Sequence, residues 1–148
     1  MNKKVIIICS VIIAIILIAV GIYFAVRANN LKNYKNAETY KLNGEEITSV
    51  KSAIGEKKLV KYSRKSDTLE LTFEDPDKEK SAEAYIQYLL DNGNYIKANL
   101  EDKNKKQISR SAENSNDIVV VETEYTEKGF KVKLQVGAGQ IIVDPIEE

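Results

Sequence analysis

The sequence predicts an α+β protein, with an N-terminal single transmembrane helix followed by a small domain in which an antiparallel sheet is covered on one face by one main helix. Three observations predict it. Val5 to Val26 is an unbroken run without a charged residue. Segments 68–74 and 130–136 alternate apolar with polar side chains, the period of strands with one buried and one wet face, as in antiparallel sheets. Asp75-Pro76 precedes a stretch in which Ala82, Tyr85, Ile86 and Leu89 recur at helical spacing.

The apolar run fits a bilayer by length. Its twenty-two residues extend about 33 Å as a helix, against a hydrocarbon core of roughly 30 Å. A cleavable signal peptide is the rival reading, because Lys3 and Lys4 form a basic start and Val26-Arg27-Ala28 offers a small-residue cleavage site. An apolar stretch of about twenty residues exceeds the h-region of such peptides, so a retained signal anchor is preferred. Cys9 comes directly after three isoleucines and lacks the small residues expected before a lipidated cysteine, and it reads as an apolar filler. Flanking charge is nearly balanced, Lys3 and Lys4 against Arg27, Lys32 and Lys35. The four-residue N-terminus resembles that of a signal anchor, which places the large C-terminal part outside the cell membrane. Ser10, Ala14, Gly21 and Ala25 fall within an arc of about 60° and form a candidate packing face for a second span or another membrane protein.

The chain divides accordingly. Residues 1–4 are a short cytoplasmic start, 5–26 the span, 27–37 a polar stalk, 38–145 the extracytoplasmic α+β domain and 146–148 an acidic tail. Glu38 to Leu42 is a strand ended by Asn43-Gly44. The next segment reads either as the second arm of a type I′ hairpin pairing Tyr40 with Ile47, or as a helix from Glu45 to Ile54 stopped by Gly55; the helix is the preferred reading. Further strands lie at 59–62 and 68–74, linked as a hairpin through 64–67. Asp75 caps the main helix, Pro76 takes its first position and Gly93 ends it. Weaker strands at 95–100 and 107–111 flank a polar loop, 118–125 and 130–136 form the firmest pair, and 141–143 adds an edge strand.

Composition excludes several chemistries. Of 148 residues, 122 lie beyond Val26, enough for one domain and short for two. Setting aside Lys3 and Lys4, twenty basic residues there face twenty-two acidic ones, which argues against a nucleic-acid partner. The chain has no His, and its one Cys lies in the apolar run. Histidine-based nucleophile systems and His-containing zinc sites are therefore excluded, and no disulfide staples the domain. High Lys, Ile and Asn usage with no Trp suits a bacterial cell-envelope protein.

The motif candidates are few. Glu74, Asp75, Asp77 and Glu79 alternate like the start of a calcium loop, but counting from Asp75 the sixth position is Lys80 and the twelfth Ile86, where that loop needs Gly and Glu. Gly137-Ala138-Gly139 lacks the third glycine and subsequent helix of a phosphate loop and reads as a turn. Lys57, Lys58, Lys61, Arg64 and Lys65 form a candidate patch for anionic lipid or wall polymer, and Lys103, Lys105, Lys106 and Arg110 form a second. Glu122 and Glu124 alternate on one strand and are the only carboxylates singled out for glycoside chemistry. An apolar N-terminal helix before an α+β head resembles the pilin layout in architecture alone, since residues 1–26 contain no acid and Gly21 sits near the wrong end.

The expectation is thus a membrane-anchored accessory or binding domain without catalytic activity, meeting a protein or envelope partner. The alternative is a small cell-envelope hydrolase using carboxylates. No cofactor, metal or small-molecule ligand is expected.

Overall fold

The computed structural model describes residues 2–98, 100 and 102–139. The chain divides into two units, Met1–Tyr34 and Lys35–Glu148. The first is almost wholly a single helix, α1 (Lys3–Asn36), none of whose residues is buried. It is long and apolar enough to cross a membrane, its 34 residues extending about 51 Å. The helix continues through Asn36, so the polar stretch read as a stalk is helical almost to its end.

The second unit is a small α+β domain with two antiparallel sheets. A hairpin of β1 (Thr39–Leu42) and β2 (Glu45–Thr48) stands apart from a six-stranded sheet. That sheet contains β3 (Lys58–Arg64), β4 (Thr68–Glu74), β5 (Ile96–Lys97), β6 (Lys105–Ser111), β7 (Ile118–Tyr125) and β8 (Gly129–Gly137), in the order β3-β4-β8-β7-β6-β5. Two helices complete it, α2 (Val50–Ile54) and α3 (Lys78–Asn92).

Alternation drives the sheet. Leu69, Leu71 and Phe73 of β4, Val119 and Val121 of β7, and Phe130, Val132, Leu134 and Val136 of β8 are all buried. Register sets Leu71 opposite Val132 and Phe73 opposite Phe130, whose rings stack at 5.2 Å between centroids. From α3, Ala82, Tyr85, Ile86 and Leu89 are buried, the stripe expected from their spacing, and the helix meets β6, β7, β8 and α2.

The segment after Asn43-Gly44 corrects the preferred helix. Residues 45–48 form β2, with Tyr40 opposite Ile47 as in the hairpin reading, and only Val50–Ile54 is helical. Asn43 (φ 48°) and Gly44 (φ 80°) supply the two positive φ angles of a type I′ turn. Tyr40, Leu42, Glu45 and Ile47 then point inward by strand alternation. Ser49 caps α2 by accepting the Ser52 amide at 3.0 Å, and Gly55 ends it at φ 90°.

Helix α3 also starts later than expected. Asp75 Oδ1 accepts the Asp77 amide at 2.8 Å and Oδ2 accepts the Ser81 hydroxyl at 2.5 Å. This closes a turn over residues 75–77, so Pro76 precedes the helix and Asp77 occupies the cap position without a side-chain bond. Strand β5 is confined to Ile96–Lys97, and Gly137 belongs to β8 instead of the expected turn. The expected strand at 141–143 and the acidic tail lie outside the described residues.

Candidate functional site

The face of the sheet opposite the buried alternation is a lattice of charge. Cross-strand register aligns Ser63, Glu70, Lys133, Glu122 and Gln107 in one row, and Lys61, Thr72, Lys131, Glu124 and Lys105 in the next. Diagonal ion pairs stitch the rows, with Lys131 Nζ at 3.1 Å from Glu70 Oε1 and Lys105 Nζ at 3.9 Å from Glu122 Oε1. Glu122 and Glu124 share a shallow depression of about 140 Å³ with Glu70, Lys105, Lys131 and Lys133. Each carboxylate there has lysine neighbours on the adjoining strands.

The first basic cluster is divided by the fold. Lys57 Nζ lies 3.1 Å from the buried Asp75 carboxylate, and Lys58 Nζ lies 2.6 Å from Glu74. Arg64 donates to the carbonyls of Lys65 and Lys41, at 3.1 and 3.0 Å. Lys61 and Lys65 are exposed. All but Lys57 and Lys65 lie on β3, an edge strand with a register irregularity between Leu59 and Lys61. Lysines and a bulge on an edge are devices that discourage pairing with a foreign strand.

The second cluster loses Arg110. That residue is buried, and its Nη1 donates to Glu45 Oε2 at 3.0 Å while its guanidinium lies over the Tyr95 ring, 5.4 Å from the centroid. Glu45 Oε1 accepts the Glu113 and Asn114 amides at 2.9 and 3.2 Å. The hairpin, β6 and the β6–β7 loop are thereby tied through one carboxylate. Sequence reading gave Glu45 only as the start of a helix and not as an ion-pair partner, because its partners lie 65 or more residues away.

Burial and hydrogen bonding compete at these carboxyls. Burial of Glu45 acts to raise its pKa, but the Arg110 and backbone hydrogen bonds outweigh it and hold the group below its ordinary value. Asp75 behaves alike, its burial overcome by Ser81, the Asp77 amide and Lys57. The Ser52 hydroxyl lowers Glu38, and Lys58 lowers Glu74.

A cleft of about 560 Å³ opens between α3 and the β5–β6 edge. Ala84, Ile86, Ala98, Leu100 and Ile108 give it an aliphatic lining, and Lys106 Nζ lies 3.6 Å from Glu83 Oε1. No sequence motif marked this place, because a helix, a two-residue strand and a loop each contribute to it. On α1, Ser10, Ala14, Gly21 and Ala25 are exposed, and the Ser10 hydroxyl donates to Ile6 O within the helix at 2.9 Å. Among the described residues, no three or more His, Cys, Asp or Glu side chains are grouped so that they could hold a metal ion.

Comparison with protein-family models, with curated proteins and with solved structures finds no match to this chain.

Proposed function

We propose that the chain is a single-pass membrane protein whose α+β domain lies outside the cell membrane and serves there as a binding module without catalytic activity. Helix α1 supplies an uncleaved anchor, and a domain as long as the one that follows it translocates largely regardless of flanking charge. Within the domain, α3 and its buried stripe cover one face of the sheet, leaving the opposite face and the β5–β6 edge to meet a protein or envelope partner.

The observation that carries this reading is the lattice of Lys and Glu on the open face, a broad surface whose charges are mutually paired. Such a surface discriminates partners by charge register more than by apolar burial.

Two measurements test the proposal. Protease shaving of intact cells should remove the domain together with a known surface marker, and protection of the domain would overturn the orientation. Photo-crosslinkers placed at Glu70, Gln107 and Glu122 in living cells should capture a discrete adduct. An absence of adducts from this face would overturn the binding surface.

A further inference from the structure

We propose that the β3–β4–β8 corner of the open sheet face binds the phosphate groups of an anionic polyol-phosphate polymer of the cell envelope. The inference rests on the binding-module reading and names the chemistry of the partner. The charge lattice is unbalanced at this corner. Beyond the Lys58–Glu74 pair, strand alternation and register place Lys61, Lys65, Lys131 and Lys133 on the open side of these strands, against Glu70 alone. Glu70 is taken by Lys131 at 3.1 Å, and Glu122, opposite Lys133 on β7, lies 3.9 Å from Lys105. Lys61, Lys65 and Lys133 are exposed and have no ion-pair partner among the described residues.

Two of these lysines border one depression. Lys65 continues the β3 ladder by donating its amide to the Thr68 carbonyl at 2.8 Å, which sets Lys65, Thr68 and Gln135 in one row beside Ser63, Glu70 and Lys133 in the next. Together they line a polar hollow of about 150 Å³. Lys65 and Lys133 supply positive charge, and the Ser63 hydroxyl and Gln135 amide supply further donors. The Thr68 hydroxyl is directed to Asp67 Oδ1 at 3.0 Å. A hollow well below the roughly 300–1,000 Å³ of small-molecule sites takes one anionic group and leaves the rest of its ligand on the face.

The donors select phosphate, and their spacing selects a polymer. Lysine binds phosphate as a point charge, whereas planar carboxylates are met best by the arginine fork. The nearby Arg64 guanidinium is turned instead to the carbonyls of Lys65 and Lys41. No aromatic side chain lines the hollow, so a nucleobase or a sugar ring finds no stacking partner. Lys61 stands four residues from Lys65 along the same strand direction, about 13 Å at the rise of a strand. A chain of repeating phosphates meets both lysines at once, and a single phosphate does not. A lipid surface gains affinity from apolar insertion as well as charge, but the neutral open-facing neighbours here are Ser, Thr and Gln.

The test uses the full chain in zwitterionic phosphatidylcholine nanodiscs, with binding to an immobilised glycerol-phosphate oligomer followed by biolayer interferometry. Saturable binding is expected, tighter than to polyglutamate of the same charge. Lys65→Gln/Lys133→Gln should weaken it about fivefold or more, the scale of two exposed charge pairs. Lys80→Gln/Lys97→Gln, an equal change of charge on the α3 side of the sheet, should leave it unchanged. Absence of saturable binding, an equal loss in both double variants, or equal binding of polyglutamate would each overturn the proposal. So would binding to phosphatidylglycerol vesicles that is as tight and as dependent on Lys65 and Lys133, which would make a lipid surface the ligand. If open-face crosslinks capture a partner while the oligomer does not bind, the phosphate proposal fails and the binding-module reading stands.

Discussion

At the scale of single residues, two buried carboxylates organise the domain. Removing one partner of a buried ion pair leaves the other charge uncompensated, so Arg110→Met should destabilise the domain by about 3–5 kcal/mol in chemical denaturation. Replacing both partners with apolar residues should recover part of that loss, and a double variant no more stable than Arg110→Met would refute the pairing. Acid stability rests on the same groups. Glu45 and Asp75 lie below their ordinary values of 4.5 and 3.8 in the folded domain, so the unfolded chain binds protons more readily. Their contribution is full above those values and disappears as pH falls through the folded pKa. Asp75→Asn should flatten the fall in unfolding midpoint below about pH 4. Buried phenols act at the alkaline end. Burial pushes the Tyr40 hydroxyl up to about 12, although it accepts the Val50 amide, and burial raises Tyr85 as well. Stability held by the neutral phenols is complete below pH 10 and is lost as pH rises toward the folded value.

At the scale of elements, close backbone approach decides as much as side-chain pattern. Gly129 begins β8 opposite Glu74, and a Cβ there would collide with the Phe73 carbonyl oxygen. Gly129→Ala therefore forces β4 and β8 apart, and a loss of about 2–3 kcal/mol is expected from thermal or denaturant unfolding. A variant as stable as the parent would show that the two strands separate freely. The hairpin shows a second contest between local and distant forces. Acids after Asn43-Gly44 suit a helix N-terminus, and Ile47, Val50 and Ile54 suit a helical stripe. The turn preference wins because Glu45 gains a buried guanidinium and two amides as a strand residue. Only Val50–Ile54 keeps the helical pattern, stopped by the glycine that the sequence marks.

At the scale of the whole molecule, the protein combines a helix able to cross a membrane with a domain that contains no disulfide. Each charge placed at the centre of a span costs about 2.5–3.5 kcal/mol of insertion free energy. Ile13→Lys combined with Ile16→Lys should therefore move the chain from the membrane fraction to the soluble one, as read by fractionation and immunoblotting. Retention in the membrane fraction would show that another part of the chain holds it there. The domain itself relies on its core, in which Phe73, Phe130 and Tyr85 are buried. Reducing agents should leave its unfolding midpoint unchanged.

The legible parts of this protein are those whose determinants are local. An unbroken apolar run reports a long apolar helix, strict alternation reports β4, β7 and β8, and a stripe at helical spacing reports α3. Each depends on neighbours within a few residues, so the sequence by itself determined the α+β class and nearly all of its strands. Tertiary structure decided the rest. Lys57 and Arg110 read as surface charge until the fold brings them to Asp75 and Glu45, and Glu122 and Glu124 become part of a lattice only through register with lysines on β6 and β8. The cleft between α3 and the β5–β6 edge likewise exists only when segments distant in sequence meet. The physical reason is common to all three: periodicity records which way a side chain points, whereas charge pairing and concavity depend on what stands opposite.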